Sequence, residues 1–299
     1  MSVGERDPHT GHMTTGHEWN GIRELNTPVP GSVWSFLGAA FVFSVIYWLL
    51  MPAWPIGVTF TRGLLGIDDR KVLEARLDDA ADMRALWTGK LSALPASDLG
   101  RLVADEAVMA RVRGAGQTLY LDNCSACHGI DAAGGRGFPN LVDKSVLWGG
   151  DAETIMETLR VGINSGHEET RLAQMPALGR DETLDRRMTT AVISYVRSLS
   201  NVSEDNEEDG NAVAAGKTVF EENCAACHGD DAAGDPEIGA PNLTDPSWIY
   251  GGDRQTLFET IWRGRQGVMP AWEGRLSEVD RKILTLYLLG LKARVGRAK

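Results

Sequence analysis

The sequence predicts a mainly α-helical chain, with one N-terminal membrane-crossing helix followed by two copies of one small helical domain. Three observations predict this. The stretch from Leu25 to Thr61 carries no charged residue and has an apolar centre as long as the roughly 20 residues a helix needs to cross hydrocarbon. Residues 114–200 and 211–299 repeat one another block by block. Within both repeats apolar residues fall at a period near 3.6, and little reads as strand. At 299 residues the chain has room for two or three domains. Its net charge of −11 argues against nucleic acid and suits a basic protein partner, although from charge alone a generic acidic, soluble surface is the preferred reading.

Taken in order, residues 1–32 form a polar N-terminal tail containing His9, His12 and His17. Three histidines in a short tract can bind metal, but such a tract is more often a flexible tail, and that reading is preferred. The tail is too long for the start of a signal peptide, and no basic stretch abuts the apolar core. Residues 33–54 are the predicted transmembrane helix, with Trp34 at one end and Tyr47, Trp48 and Trp54 toward the other as interfacial anchors. Pro28 and Pro30 precede it, and Pro52 and Pro55 end it. No small-residue cleavage site follows, so an uncleaved anchor is expected. Basic residues are spread too evenly on the two sides to orient it. Residues 55–113 read as a helical connector, with Val72, Leu73, Leu77, Met83, Leu86 and Trp87 as apolar points and a further helix at Leu99, Leu102 and Val103.

The first repeat opens at Gly114 and runs into Cys124-Ser125-Ala126-Cys127-His128; the second opens at Ala214 and runs into Cys224-Ala225-Ala226-Cys227-His228. C-x-x-C-H is the attachment sequence of a c-type haem. Two thiols must reach the vinyl groups of one porphyrin, and the adjacent histidine is carried under the iron as proximal ligand. All four cysteines are used this way. Paired C-x-x-C zinc sites usually lie about 15–20 residues apart, and a thioredoxin-like motif needs neither the histidine nor a second copy. Two covalent haem c groups on two class I cytochrome c-like domains are therefore expected. Each repeat continues through Pro-Asn-Leu (139–141 and 241–243), Gly-Gly-Asp (149–151 and 251–253) and Met-Pro-Ala (175–177 and 269–271). Each closes with a helix, on Met188, Val192 and Tyr195 in the first and on Leu276, Ile283 and Tyr287 in the second. Between them, residues 201–210 form an acidic linker expected to be mobile. Haem attachment in bacteria takes place outside the cytoplasmic membrane. The expected placement is therefore the bacterial inner membrane, N-terminus in the cytoplasm and haem domains in the periplasm.

A haem that only passes electrons has both axial positions filled. Met175 and Met269, each in Met-Pro-Ala, are the candidates for the sixth ligand, because a thioether favours ferrous iron. Core packing is the alternative role for a methionine, and Met156 and Met188 read that way. His167 lies in an insertion of the first repeat and reads as a surface histidine. Sequence order alone pairs each methionine with the haem of its own repeat. No open iron site is evident, so the chain reads as a carrier with no catalytic residues.

The run Gly16-His17-Glu18-Trp19-Asn20-Gly21-Ile22-Arg23-Glu24-Leu25-Asn26-Thr27-Pro28-Val29-Pro30, with the anchor and two haem motifs, resembles the dihaem subunit of cbb3-type cytochrome c oxidase, the FixP/CcoP family. The family pattern often has Asp at Asn20 and Asn at Thr27. The resemblance implies electron transfer from a donor cytochrome c to the monohaem subunit and on to the catalytic haem–copper subunit, where oxygen is reduced and protons are pumped. It also implies exchanged axial ligands: His128 and Met269 on the first haem iron, His228 and Met175 on the second. Competing readings are the cytochrome subunit of a periplasmic dehydrogenase, a dihaem peroxidase and a haem-based sensor. The retained anchor, the run before it and the paired Met-Pro-Ala weigh against them.

Overall fold

The computed structural model describes residues 4–200 and 209–297; most of the acidic linker, 201–208, lies outside the described residues. The chain divides into two compact units, 1–84 and 85–299.

In the first unit, residues 14–25 are a β-hairpin where the sequence reading expected a flexible tail. Strand β1 (Thr14–Trp19) pairs antiparallel with β2 (Ile22–Leu25), with Trp19 opposite Ile22 and Glu18 opposite Arg23. Asn20 and Gly21 both take positive φ, 49° and 83°. A two-residue turn of that kind matches the twist of the strands it joins, and Asn-Gly is the pair that adopts it most readily. Arg23 is tied to Glu18 at 3.2 Å and to Glu5 at 2.8 Å.

Helix α1 (Gly31–Leu50) follows Pro30 and stops where Met51 turns extended, ahead of Pro52. It begins and ends somewhat earlier than the expected 33–54. It is the one helix among the described residues long and apolar enough to cross a membrane, and none of it is buried in protein. Its two serines bond within the helix, Ser35 Oγ to the Gly31 carbonyl at 3.1 Å and Ser44 Oγ to that of Ala40 at 2.8 Å. Neither serine hydroxyl is thereby left without a partner in hydrocarbon. A second small hairpin, β3 (Pro55–Ile56) with β4 (Thr59–Phe60), follows. Helix α2 (Asp69–Ala93) leaves Val72, Leu73, Leu77, Met83 and Leu86 exposed.

The second unit holds the two sequence repeats. A 3-10 helix (Ala96–Ala104) accounts for Leu99, Leu102 and Val103. Helix α3 (Glu106–Asn123) starts eight residues before Gly114, because Asp105 caps it by accepting from the Ala107 and Val108 N–H groups at 2.9 and 3.2 Å. One turn, α4 (Ser125–His128), follows, then α5 (Ala152–Val161) and α6 (Arg186–Ser200). The second repeat supplies the equivalents α7 (Gly210–Asn223), α8 (Ala225–His228), α9 (Arg254–Arg263) and α10 (Glu278–Arg297). Asp151 and Asp253 cap α5 and α9 identically, each accepting from the N–H three residues on at 2.9 Å.

The closing helices are exchanged. Helix α10 packs on α3, α5 and the 3-10 helix, whereas α6 packs on α7 and α9. Tyr287 of α10 meets Tyr120 of α3 at 5.8 Å between ring centroids, and Tyr195 of α6 meets Phe220 of α7 at 5.3 Å. Both crossings need a glycine: a Cβ on Gly116 would meet Tyr287, and one on Gly216 would meet the Ala191 backbone. Two cores result. One joins Leu99, Val112, Tyr120 and Leu159 to Trp272, Ile283 and Leu286; the other joins Leu184 and Val192 to Phe220, Leu257 and Ile261. The physical reason is chain order. Helices α6 and α7 are consecutive, and consecutive elements tend to pack together. With α6 taken, α10 is the partner left for α3.

Candidate haem sites

Each site begins at a helix end. Cys124 terminates α3, its N–H bonded to the Tyr120 carbonyl at 2.8 Å, and His128 follows one turn later with its N–H on the Cys124 carbonyl at 3.0 Å. Cys224 and His228 repeat this with 2.8 and 2.9 Å. The four cysteines are free thiols; Cys124 and Cys224 are half-buried, Cys127 and Cys227 exposed. Burial, then the neighbouring thiol, pushes Cys124 and Cys224 up to about 11.

The two histidines are held in the form that a metal ligand needs. His128 Nδ1 lies 3.0 Å from the Pro139 carbonyl oxygen, and His228 Nδ1 lies 3.0 Å from that of Pro241. A carbonyl can only accept, so Nδ1 carries the proton and Nε2 keeps its lone pair. Burial holds both imidazoles below their usual pKa, outweighing the carbonyl bond, and so favours the neutral form a metal needs. The Pro-Asn-Leu blocks therefore hold the two imidazole rings in place.

The methionine loops are exchanged like the helices. Met269 pairs with Ile163 of the first repeat through two backbone bonds of 2.9 Å each. Its side chain packs against the core that contains Cys124 and Tyr120. Met175 pairs with Arg265 of the second repeat at 2.9 and 3.0 Å and packs against the core that contains Cys224 and Phe220. Gly162 and Gly264 permit this approach: their φ angles are 69° and 70°, and a Cβ would strike the backbone of Met269 and of Met175 respectively. Met156 packs on the first core and Met188 on the second. His167 has both ring nitrogens engaged, Nε2 with Glu273 at 2.8 Å and Nδ1 with the Glu169 N–H at 3.0 Å. Glu273 also lies 3.8 Å from Arg160, which pairs with Glu157 and Glu169. His167 thus belongs to a polar clasp between the repeats.

The residues fit a covalent haem. Each lobe brings two free thiols, one histidine with an unprotonated Nε2 and one methionine into a single neighbourhood. Among the described residues no three of His, Cys, Asp or Glu gather as a zinc site would require. The buried nitrogens Trp148 Nε1, Trp248 Nε1 and Arg171 Nε lack hydrogen-bond partners within the protein. Sequence reasoning missed Asn164, whose Nδ2 reaches the Ala173 and Gly267 carbonyls at 2.7 Å each. That one amide spans both methionine loops, and no repeat pattern marks it.

Comparison with known proteins matches three stretches of the chain. Residues 11–58 match the N-terminal domain of cytochrome oxidase-cbb3, FixP. Residues 114–200 match cytochrome c, and residues 211–288 match cytochrome c oxidase, cbb3-type, subunit III. The chain is 46% identical to the cbb3-type cytochrome c oxidase subunit FixP of Bradyrhizobium sp. (strain ORS 278), over 96% of this chain and 97% of that one. It is 40% identical to subunit CcoP of Azospirillum sp. (strain B510), over 97% and 99%. It is 41% identical to CcoP of Rhodobacter capsulatus, over 93% and 95%.

Proposed function

The chain belongs to the FixP/CcoP family, the cytochrome c electron-transfer subunit of cbb3-type oxidases, and on that premise we propose how it holds its haems and where its electrons go. Cys124 and Cys127 attach the first haem c, and Cys224 and Cys227 the second. His128 and Met269 are the axial ligands of the first iron; His228 and Met175 are those of the second. One observation carries this assignment: each methionine is bonded through its backbone to the repeat whose iron it would ligate, Met269 to Ile163 and Met175 to Arg265.

Bound haem c supplies a one-electron ferric/ferrous couple, and a thioether ligand raises its potential. The protein's own part is to orient and to shield. Pro139 and Pro241 hold the imidazole rings through Nδ1. Tyr120 closes the first pocket by donating to the Gly129 carbonyl at 2.7 Å. The buried flanks of both cores keep water from the sulfur ligands. His128 with Met269, and His228 with Met175, would hold the two haem irons, which would then pass electrons rather than bind oxygen or peroxide. The chain relays electrons from a donor cytochrome c to the monohaem subunit, and from there to the catalytic haem–copper subunit. Helix α1 crosses the inner membrane with the N-terminus cytoplasmic and the haem lobes periplasmic, the side on which haem is attached. Family membership displaces the dehydrogenase-subunit, peroxidase and sensor alternatives.

Purification of the intact complex in mild detergent, with haem and copper analysis, tests this reading. It expects haem b and copper with an excess of haem c. Haem c alone, or haem c with a flavin or quinone partner, would overturn the relay proposed.

A further inference from the structure

We infer that the seam between the two lobes is a carboxylate-binding site for the haem propionates, formed by Arg171 with Trp148 and, across the pseudo-twofold, Arg265 with Tyr250. The inference rests on the haem attachment proposed above. Its starting point is a pair of unmet donors. Arg171 Nε and Trp148 Nε1 are both buried, and neither has a hydrogen-bond partner. Leaving one such donor empty costs about 1–3 kcal/mol, so two together on a single stacked pair call for an acceptor.

The two donors are held as one device. The Arg171 guanidinium lies over the Trp148 ring, 4.8 Å from its centroid. The second repeat matches it: the Arg265 guanidinium lies over Tyr250 at 4.4 Å. Stacking occupies the flat faces of a guanidinium and leaves its N–H edge free for a carboxylate. Arg265 differs in one respect, its Nε being satisfied by Thr260 Oγ1 at 2.9 Å. No carboxylate is paired with Arg171 or Arg265 among the described residues. Glu157 feels the Arg171 charge, but both its oxygens are bonded to Arg160 at 2.8 Å.

Position names the missing acceptor. Arg171 and Arg265 each stand four residues before a methionine of Met-Pro-Ala, and Trp148 and Tyr250 each immediately precede Gly-Gly-Asp. The Trp148 ring fills the space where Gly239 lacks a Cβ, two residues before the Pro241 carbonyl that holds His228. Across the seam the Gly137 N–H bonds the Ile249 carbonyl at 2.7 Å, beside Tyr250 and two residues before Pro139, which holds His128. Each aromatic thus borders the other repeat's histidine support. The anionic groups on a haem's periphery are its propionate carboxylates, so donors that border both haem pockets would be met by them. A nearby cation stabilises the reduced, more negative state, so Arg171 would raise the potential of the haem it anchors.

The test uses the full chain in its oxidase complex, with Arg171→Gln, Arg171→Lys and Trp148→Phe. Total haem c and the methionine–iron charge-transfer band report on attachment and ligation. Redox titration and the propionate-bending modes in resonance Raman report on the seam. Arg171→Gln is expected to shift the reduction equilibrium of at least one haem c about tenfold toward the oxidised form, which is 59 mV for a one-electron couple. Arg171→Lys should restore most of the shift, and Trp148→Phe should move the propionate modes with haem content unchanged. Unaltered potentials and propionate modes in Arg171→Gln and Trp148→Phe, with both haems attached, would overturn the inference. Should Arg171→Gln fail to mature, Trp148→Phe decides through the propionate modes, since it removes the N–H while keeping a six-membered aromatic ring under the Arg171 guanidinium. Absence of two haem c groups in the unaltered protein would instead overturn the attachment on which the inference rests.

Discussion

Replacing Ile283 by alanine should loosen the first lobe, although Ile283 lies in the second sequence repeat. Its side chain is fully buried in α10, in the core that also holds Tyr120 and Leu159. The substitution removes three carbons, worth about 0.8 kcal/mol each, so roughly 2.4 kcal/mol of transfer free energy is lost. The residual cavity brings the total to about 3–4 kcal/mol, inside the range of roughly 2–5 found for such truncations. For a lobe of about 100 residues this lowers the midpoint by at least about 12 °C. Hydrogen exchange with mass spectrometry on the full chain in detergent separates the lobes. Peptides from α3 should lose protection, whereas those from α7 should keep theirs. Ile193→Ala is the mirror experiment, because Ile193 is buried in α6 on the second core and should expose α7 instead. Loss of protection in α7 alone after Ile283→Ala would refute the exchanged packing.

Gly264→Ala should disturb the methionine band of one haem only: a Cβ at φ 70° meets the Met175 backbone, and strain of about 1–3 kcal/mol is relieved by moving that loop. An unchanged near-infrared spectrum would contradict this. Tyr120→Phe should cost about 1–3 kcal/mol in thermal melts, since it strips the Gly129 carbonyl of a buried donor while preserving the ring. Asp151→Ala should cost about 1 kcal/mol at neutral pH through loss of the α5 cap. The Thr154 hydroxyl, then its N–H, holds the Asp151 carboxyl below 3.8. The unfolded chain therefore binds more protons in that range. The cap's contribution is present above 3.8 and is lost as pH falls through the folded value. Wild type and variant should melt alike in strong acid, and a difference that persists there would count against the cap.

The parts of this protein that depend on covalent chemistry were legible in its sequence. The two C-x-x-C-H motifs, the Met-Pro-Ala blocks and the apolar helix each follow from what a porphyrin, an iron or a bilayer demands of a short stretch. The hairpin was legible too, in Asn20-Gly21 between Trp19 and Ile22, but the polar composition of residues 1–27 pointed to a tail. Helix α3 could have been started at Glu106 from its Asp105 cap. The exchange of helices and methionines was not legible from the residues. The period of α10 states which face is buried, not which helix buries it, and Ile283 would fit either lobe. Only the family resemblance pointed to exchanged ligands. The Arg171–Trp148 pair was not legible, because the two residues stand 23 positions apart and no local pattern joins them.

The central claim is that each lobe's iron takes its methionine from the other repeat. The direct measurement is NMR of the ferrous full chain with methyl-labelled methionine, where ring currents set iron-bound methyl groups apart from all others. Met269→Leu should remove one of two such signals. Before its removal, that signal should show nuclear Overhauser contacts to Tyr120 and Trp272, which share the first core with Met269. Contacts from the Met269 methyl to Phe220 instead would place it on the second haem and contradict the account.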